Sequence, residues 1–393
     1  MAIYLDHNAT TPVAPAVAEA VARALRDAFG NPSSLHAAGQ RARRAMDEAR
    51  VAVAALVGAE PGQVVFTSGG TESDNLAIRG VLEAAPPQRR RLAVGAVEHE
   101  AVLHTALAYR RRGWPVTIVP ASAEGVITPE ALSACLGPDV ALVSVMLANN
   151  ETGVLQPVEA LARLAHAHGA LFHTDAVQGA GKVTVDVRRL GVDLLSLTGH
   201  KFGGPKGAGA LWVRDGLTLA STMTGGRQER NRRAGTENVP AIAGLGVAAA
   251  LAAGTARTPA DVKALRDRLE AGILAAVPGC AVNGGGAGRI PNTANISFEG
   301  ADGESLVVAL DLEGIAVSTG SACSSGTTDP SHVLRAMGLP AGRVQSAIRF
   351  SLGPETTSDE IERVLEVLPA VVRRVRDAGA RLPAAGHHGR GVP

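Results

Sequence analysis

The sequence predicts an α/β fold built on a mostly parallel sheet, followed by a smaller α+β unit. From Val64 to Val213, seven short apolar runs alternate with helical patterns. These runs are nearly continuous in apolar residues, the mark of strands covered on both faces. After Ala241 the order changes, and two helices precede short strands and further helices.

In chain order, Tyr4-Leu5 starts a short strand, and the polar loop from Asp6 to Pro12 follows. Helical periodicity predicts a helix over 13–29, broken by Gly30-Asn31-Pro32-Ser33-Ser34. A second helix over 36–57 sets arginines and acids against an Ala/Val/Leu face. The strands are expected at 64–66, 92–94, 116–119, 141–145, 171–173, 194–197 and 210–213. Beyond them come helices at 241–253 and 259–277, strands at 294–298 and 347–351, and helices at 303–312 and 358–376. A large domain over 13–258 and a small α+β domain over 1–12 and 259–383 are therefore expected. The tail, 384–393, is Gly, Pro and His with little else and is expected to be disordered.

Composition narrows the function. The 393 residues are 46% hydrophobic and 19% charged, a globular composition with room for two cores. A net charge of +1 gives no global field for nucleic acid or an anionic membrane. The arginine runs at 89–91 and 110–112 are expected at solvated helix ends. The N-terminus does not read as a signal peptide, and no apolar stretch reads as a spanning helix. Cys135, Cys280 and Cys323 are far apart, with neither disulfide nor zinc spacing, so a reducing cytoplasm is expected and no metal site. His166 and His168, two apart on a helix, do not share a face for a metal pair.

Five segments sit at the C-terminal ends of predicted strands, where open α/β sheets bind ligands. Ser68-Gly69-Gly70-Thr71-Glu72 opens a helix, and amides there suit a phosphate. Taken alone, Thr71 reads equally as a helix cap. Glu98-His99-Glu100 supplies a ring, although His99 alone reads as a core-edge histidine. Asn149-Asn150-Glu151-Thr152-Gly153 also reads as a turn. Asp175, in His173-Thr174-Asp175-Ala176-Val177-Gln178, suits either a helix cap or the ring nitrogen of a pyridine. In Thr198-Gly199-His200-Lys201, Thr198 and His200 offer donors to a phosphate and Lys201 an amine able to form a Schiff base. A phosphate cradle, a stacking ring, an anion and an amine together form the kit for pyridoxal 5'-phosphate.

Asp175-Ala176-Val177-Gln178, Thr198-Gly199-His200-Lys201, Arg233-Ala234-Gly235-Thr236-Glu237-Asn238 and the run from Ser318 to Gly326 around Cys323 resemble the group I cysteine desulfurases. The likeness extends from Tyr4 to Gly353 and is nearest to the nitrogen-fixation (NifS-like) type, through Leu147 to Gly153 and Pro291-Asn292-Thr293-Ala294-Asn295. It implies the pyridoxal-phosphate-dependent transferase fold of class V aminotransferases, with a seven-stranded large-domain sheet, and a homodimer. It implies that Lys201 holds the cofactor, that Asp175 pairs with its ring nitrogen and Gln178 with its phenolic oxygen, and that His99 stacks on the ring and handles protons. Gly70, Thr71, Thr198 and His200 would bind the phosphate, joined by Thr236 from the other subunit. Asn150 and Arg349 would hold the substrate carboxylate. Thr198 stands where serine is common in the family, and the hydroxyl is kept.

Cys323 decides the reaction. Its surroundings are small and polar, without apolar anchors, and read as a mobile exposed loop, whereas Cys135 and Cys280 read as buried or bystander thiols. The resemblance implies that L-cysteine is converted to L-alanine, with the sulfur carried as a persulfide on Cys323 to an iron–sulfur scaffold protein. The alternatives are a selenocysteine lyase or another class V enzyme, and a non-enzymatic sulfur carrier on the same fold.

Overall fold

A computed structural model describes residues 2–254, 259–320 and 330–381. Cys323 and the 384–393 tail lie outside the described residues.

The N-terminal part contains β1 (Ile3–Tyr4), α1 (Pro15–Asp27), α2 (Ala37–Leu56), β2 (Val64–Thr67), α3 (Gly70–Ala84), β3 (Arg91–Gly95), α4 (Glu100–Arg111) and β4 (Val116–Val119). It continues with α5 (Pro129–Ser133), β5 (Val140–Ser144), α6 (Val158–Ala167), β6 (Leu171–Asp175), α7 (Val187–Leu190), β7 (Leu194–Thr198) and β8 (Gly209–Val213). Then come α8 (Gln228–Asn231), α9 (Val239–Ala253), α10 (Pro259–Ala276), β9 (Cys280–Val282), β10 (Thr293–Phe298), α11 (Gly303–Asp311) and β11 (Ile315–Ala316). The last elements are α12 (His332–Ala336), α13 (Ala341–Gln345), β12 (Ala347–Ser351) and α14 (Ser358–Arg381).

Seven strands form one sheet in the order β2-β8-β7-β6-β5-β3-β4. Only β8 runs against its neighbours. The side-chain period of two splits each strand between two cores. Val64, Phe66, Ala93, Val143, Phe172 and Leu195 pack beneath α1, α2, α6 and α9. Val65, Leu92, Val94, Leu142, Leu194 and Leu211 face α3 and α4. With both faces covered, ligand-binding groups are left to the strand ends.

A third core joins Ile3 and Leu5 to α10, α11, α14, β10 and β12. Its sheets are β12-β10-β9, antiparallel, and the parallel pair β1-β11. The chain start is thus tied to its last third: the Ser351 amide donates to Leu5 O at 2.8 Å and the His7 amide to Ser351 O at 3.0 Å. The resulting segment, 6–12, runs back across the strand ends of the large sheet. There the Thr11 amide reaches His200 O at 2.9 Å.

One expectation needs correction. The run 89–91 does not end a helix: α3 stops at Ala84 and Arg91 begins β3. Arg89 donates to Val140 O and His168 O, and Arg91 pairs with Asp139. These arginines therefore cover carbonyl and carboxylate groups at the N-terminal edge of the sheet. Cys135 and Cys280, read as buried or bystander thiols, are half-buried; burial pushes the Cys280 thiol up to about 11.

One strained turn bears on the site. Glu229, Arg230 and Asn231 all have positive φ, at 44°, 57° and 64°. Non-glycine residues adopt this conformation at a cost that surrounding contacts must offset. Glu229 is buried, forms a two-pronged pair with Arg50 at 2.7 and 2.8 Å and accepts the Phe66 amide at 2.8 Å. The Arg50 guanidinium in turn lies 4.4 Å from the centre of the Phe66 ring. Glu229 thereby anchors the segment leading to Thr236 onto β2. Glu229→Ala should cost about 3–5 kcal/mol, since it leaves Arg50 buried and unpaired. Asp47→Ala, which breaks the exposed Arg43–Asp47 pair, should cost under about 1 kcal/mol. Chemical denaturation of both variants measures the difference; equal losses would show that Glu229 anchors nothing.

Candidate active site

The site is assembled where the ends of β2, β5, β6 and β7 meet segment 6–12. The α3 helix follows β2 after Ser68 and Gly69. Its N-cap is Gly69, without a side-chain cap, so Thr71 does not cap it. The Ser73 amide bonds back to Gly69 O at 3.1 Å. The Gly70 and Thr71 amides before it have no acceptor among the described residues. The α3 N-terminus therefore presents open donors with the positive end of the helix dipole behind them. Close backbone approach makes glycine necessary here. A Cβ on Gly209 would lie 2.6 Å from the Gly69 Cα, and one on Gly70 would lie 2.7 Å from Val177 Cγ2. The same close approach sets Thr198, which donates to Ala208 O at 3.1 Å, against Gly69.

His200 and Lys201 continue from β7 in a short 3₁₀ turn. The Lys201 amine donates to Asn8 O at 2.7 Å and Ala9 O at 2.9 Å. His200 Nδ1 faces Thr10 Oγ1 at 3.2 Å. Burial, with Lys201, Lys206 and Lys182 nearby, lowers its pKa to about 4, so the ring is neutral at pH 7. Lys206 itself is exposed.

Asp175 ends β6 and is buried. One of its oxygens accepts the Val177 amide at 2.8 Å; the other takes no hydrogen bond among the described residues. Burial raises its pKa, while His99, the Val177 amide and Lys201 oppose the rise. His99 caps α4 by accepting the Ala101 amide on Nδ1 at 3.1 Å. That bond assigns the proton to Nε2. Burial lowers its pKa, against the pull of Asp175.

Behind Asp175 lies a buried polar layer. His173 bridges Ser144 Oγ at 2.8 Å and Ser196 Oγ at 2.9 Å, with Asp74 at 3.6 Å. Burial lowers the His173 pKa to about 3 and raises Asp74 and Glu98 well above the carboxylate range. Burial thus favours the uncharged form of both partners in the His173–Asp74 contact. Asp175 is left as the group that a cation docked in the site would hold ionised.

The loop after β5 separates two asparagines. Asn149 is buried and accepts from the Glu151 amide, the Thr152 amide and the Thr152 hydroxyl, so it builds the turn. Asn150 is partly exposed, and its carbonyl accepts from Arg349 Nη1 at 3.1 Å and Asn8 Nδ2 at 3.2 Å. Arg349 is buried on β12 and pairs with Asp6 at 2.6 Å. The two ends of the undescribed stretch 321–329 also converge here. Gly320 packs on Glu151, whose carboxylate accepts from Ser331 Oγ at 2.6 Å. The adjacent His332 contacts Glu98 O at 2.9 Å.

Gly70, Thr71, His99, Asn150, Asp175, Gln178, Thr198, His200, Lys201 and Arg349 are thus brought to one region. Thr236 is exposed and forms no hydrogen bond with them, and Asn238 rather than Thr236 caps α9. The sequence reading overlooked two residues. Asn8 is 1% exposed and touches groups up to 343 residues away, which no local spacing reveals. Lys182 bonds Gln178, four positions earlier. That spacing was visible, but nothing in it marked the lysine as turned inward onto Asn8.

The family model "Aminotransferase class-V" matches residues 3–364. A cysteine desulfurase from Cereibacter sphaeroides is 52% identical over 378 residues, 95% of this chain and 96% of the relative. The cysteine desulfurase NifS of Azotobacter vinelandii is 47% identical over 377 residues, 95% of this chain and 94% of the relative. A solved structure described as a NifS-like protein superposes with a TM-score of 0.88 at 35% identity, covering 95% of this chain and all of that one.

The buried layer generates a pH prediction. The folded pKa of His173, about 3, lies below its unfolded value of 6.5. Between these values the unfolded chain takes up a proton that the native state refuses. The stability is complete above pH 6.5 and is lost as the pH falls through that window. At pH 5 the loss should be about 2 kcal/mol. Unfolding measured at pH 7.5 and pH 5 should show the wild type losing about that much more than His173→Gln. Identical pH dependence in the two proteins would show that His173 is not held neutral.

Proposed function

This chain belongs to the class V aminotransferase family as a cysteine desulfurase of the NifS-like kind, and we propose that it takes sulfur from L-cysteine through Lys201 and Cys323, using pyridoxal 5'-phosphate. One observation carries the assignment of the site. An amine at the end of β7 is held by two backbone carbonyls beside a buried carboxylate with one oxygen unengaged among the described residues.

The donor set fits the cofactor. The α3 N-terminus, with Gly70, Thr71, Thr198 and His200, suits a phosphate. Asp175 suits a protonated ring nitrogen, Gln178 the phenolic oxygen, and His99 a ring face. When bound, pyridoxal phosphate withdraws electrons from the substrate Cα and so makes its proton acidic.

The rest of the work falls to the chain. Lys201 would hold the cofactor covalently and, with its amine released, would serve as the base that takes the Cα proton. Asp175 would keep the ring nitrogen protonated. Arg349 and Asn150 hold the substrate carboxylate and so fix the Cα–H bond relative to Lys201. The Cys323 thiolate attacks the substrate sulfur. The Cβ–S bond breaks, an S–S bond forms, and the carbon fragment is protonated and leaves as L-alanine. His99 is placed to carry protons in this exchange. Cys323 stands three residues from Gly320, a tether of at most about 10 Å. Gly320 itself packs on Glu151, the residue that follows Asn150 in the chain.

The persulfide would pass to an acceptor, which we take to be an iron–sulfur scaffold protein. Thr236, exposed on the segment anchored by Glu229, suits a phosphate contact made across a homodimer. No helix among the described residues is long and apolar enough to cross a membrane, and we assign a cytoplasmic location. We divide the chain into a large domain over 13–258 and a small one over 1–12 and 259–383, on the strength of the separate core that joins Ile3 and Leu5 to α10, α11 and α14; Val333, Leu334 and Met337 pack instead on the large domain's core.

Two expectations follow. Asp175→Asn should retain cofactor but exchange the Cα proton of L-cysteine or L-alanine roughly 10²-fold more slowly or worse. Exchange followed by NMR tests this, and a wild-type rate would refute the role of Asp175. Cys323→Ala should bind L-cysteine yet form alanine roughly 10³-fold more slowly or worse. Mass spectrometry should find the wild-type persulfide on the Cys323 peptide and on neither Cys135 nor Cys280. Alanine and sulfide released by Cys323→Ala at the wild-type rate would favour a lyase instead.

A further inference from the structure

We propose that Lys182 is a positioning residue: together with Asn8 it clamps the amide of Gln178 so that one N–H is left facing the cofactor side of the site. The inference rests on the reading of Gln178 as the partner of the cofactor's phenolic oxygen.

The orientation of the Asn8 side chain is settled by its surroundings. Its Nδ2 donates to Thr293 Oγ1 at 2.8 Å and to the Asn150 carbonyl at 3.2 Å. A carbonyl can only accept, so this end of the Asn8 amide must be the nitrogen. Oδ1 consequently faces the other way, where Asn292 Nδ2 donates to it at 3.1 Å and Lys182 Nζ at 2.9 Å.

Lys182 passes this order on. Its amine also lies 2.5 Å from Gln178 Oε1. An amine with hydrogens to give fixes the oxygen end of that amide. The nitrogen end is left 2.9 Å from Asn8 O, the same carbonyl that receives Lys201 at 2.7 Å. Gln178 Nε2 carries two hydrogens. One is taken by Asn8 O, and the second is the donor that Gln178 needs for the phenolic oxygen.

The arrangement accounts for keeping a lysine in an unfavourable place. Burial, then the charges of Lys201 and Arg349, hold the Lys182 pKa well below its ordinary value. An apolar side chain of equal length would avoid that cost but would leave Gln178 Oε1 without a donor.

The test is a double-mutant cycle read in cofactor affinity. Pyridoxal phosphate is titrated into the apo-proteins by equilibrium dialysis, and the absorption spectrum of the bound form is recorded. Gln178→Ala should weaken binding about tenfold and shift the absorption band, since a hydrogen bond to a charged oxygen is lost. Lys182→Met should weaken binding about three- to tenfold with a band shift in the same direction. In the Gln178→Ala background, Lys182→Met should change affinity by less than about twofold. Lys182→Arg, which keeps a donor, should recover most of the loss. Lys182→Ala, which admits water, carries the same cycle if Lys182→Met does not fold. If the Lys182 substitution costs the same factor with and without Gln178, Lys182 acts on its own and the inference is overturned while the reading of Gln178 stands. If Gln178→Ala leaves affinity and spectrum unchanged, that reading falls and the inference with it.

Discussion

One buried asparagine sets the geometry of the site. Asn8 is bound through its backbone and side chain by Ser351, Asn150, Thr293, Asn292, Gln178, Lys182 and Lys201. These partners come from the middle of the chain, in the loops beyond β5, β6 and β7, and from its last third, on and beside β10 and β12. The large sheet offers strand ends but no side wall; segment 6–12 supplies the wall, and Asn8 fixes its register. A single residue can do this because an amide offers an oriented donor and acceptor pair, and burial makes every mismatch costly.

Charge is distributed in two layers. Lys201, Lys182 and Arg349 face the site, an arrangement suited to a phosphate and a carboxylate. Behind them Asp74, Glu98 and His173 are all shifted by burial toward their neutral forms. With His173 held as a neutral imidazole, no cation behind Asp175 cancels its field at the place where an anion serves the chemistry. The two layers require dry surroundings, which the cores on both faces of the sheet provide.

The sheet and the strand-end residues were legible because both follow short-range rules. Continuous apolar runs at 64–66, 92–94 and 141–145 mark strands covered on both faces, and a ligand group just beyond such a run lies at a strand end. The 294–298 and 347–351 runs were legible for another reason: apolar residues are interleaved with polar ones in short segments. The short strand at Tyr4 was read, but its two-residue partner β11 and the three-residue β9 were not, since so few residues carry no period. Asn8 was illegible because its partners are scattered along the chain, and Lys182 because a lysine in a polar turn ordinarily points to water. The Glu229 turn broke the rule that left-handed backbone belongs to glycine, and only the buried Arg50 contact explains it. Cys323 is the reverse case: its motif is explicit in the sequence, and only the ends of its segment are described, both lying against Glu151.

The most direct measurement is a crystal structure of the borohydride-reduced holoenzyme. The account predicts continuous density from the cofactor to Lys201 Nζ, the ring nitrogen within hydrogen-bonding distance of the second Asp175 oxygen, and the phosphate on the Gly70 and Thr71 amides. A cofactor joined to Lys182 or Lys206, or a ring nitrogen turned away from Asp175, would contradict it.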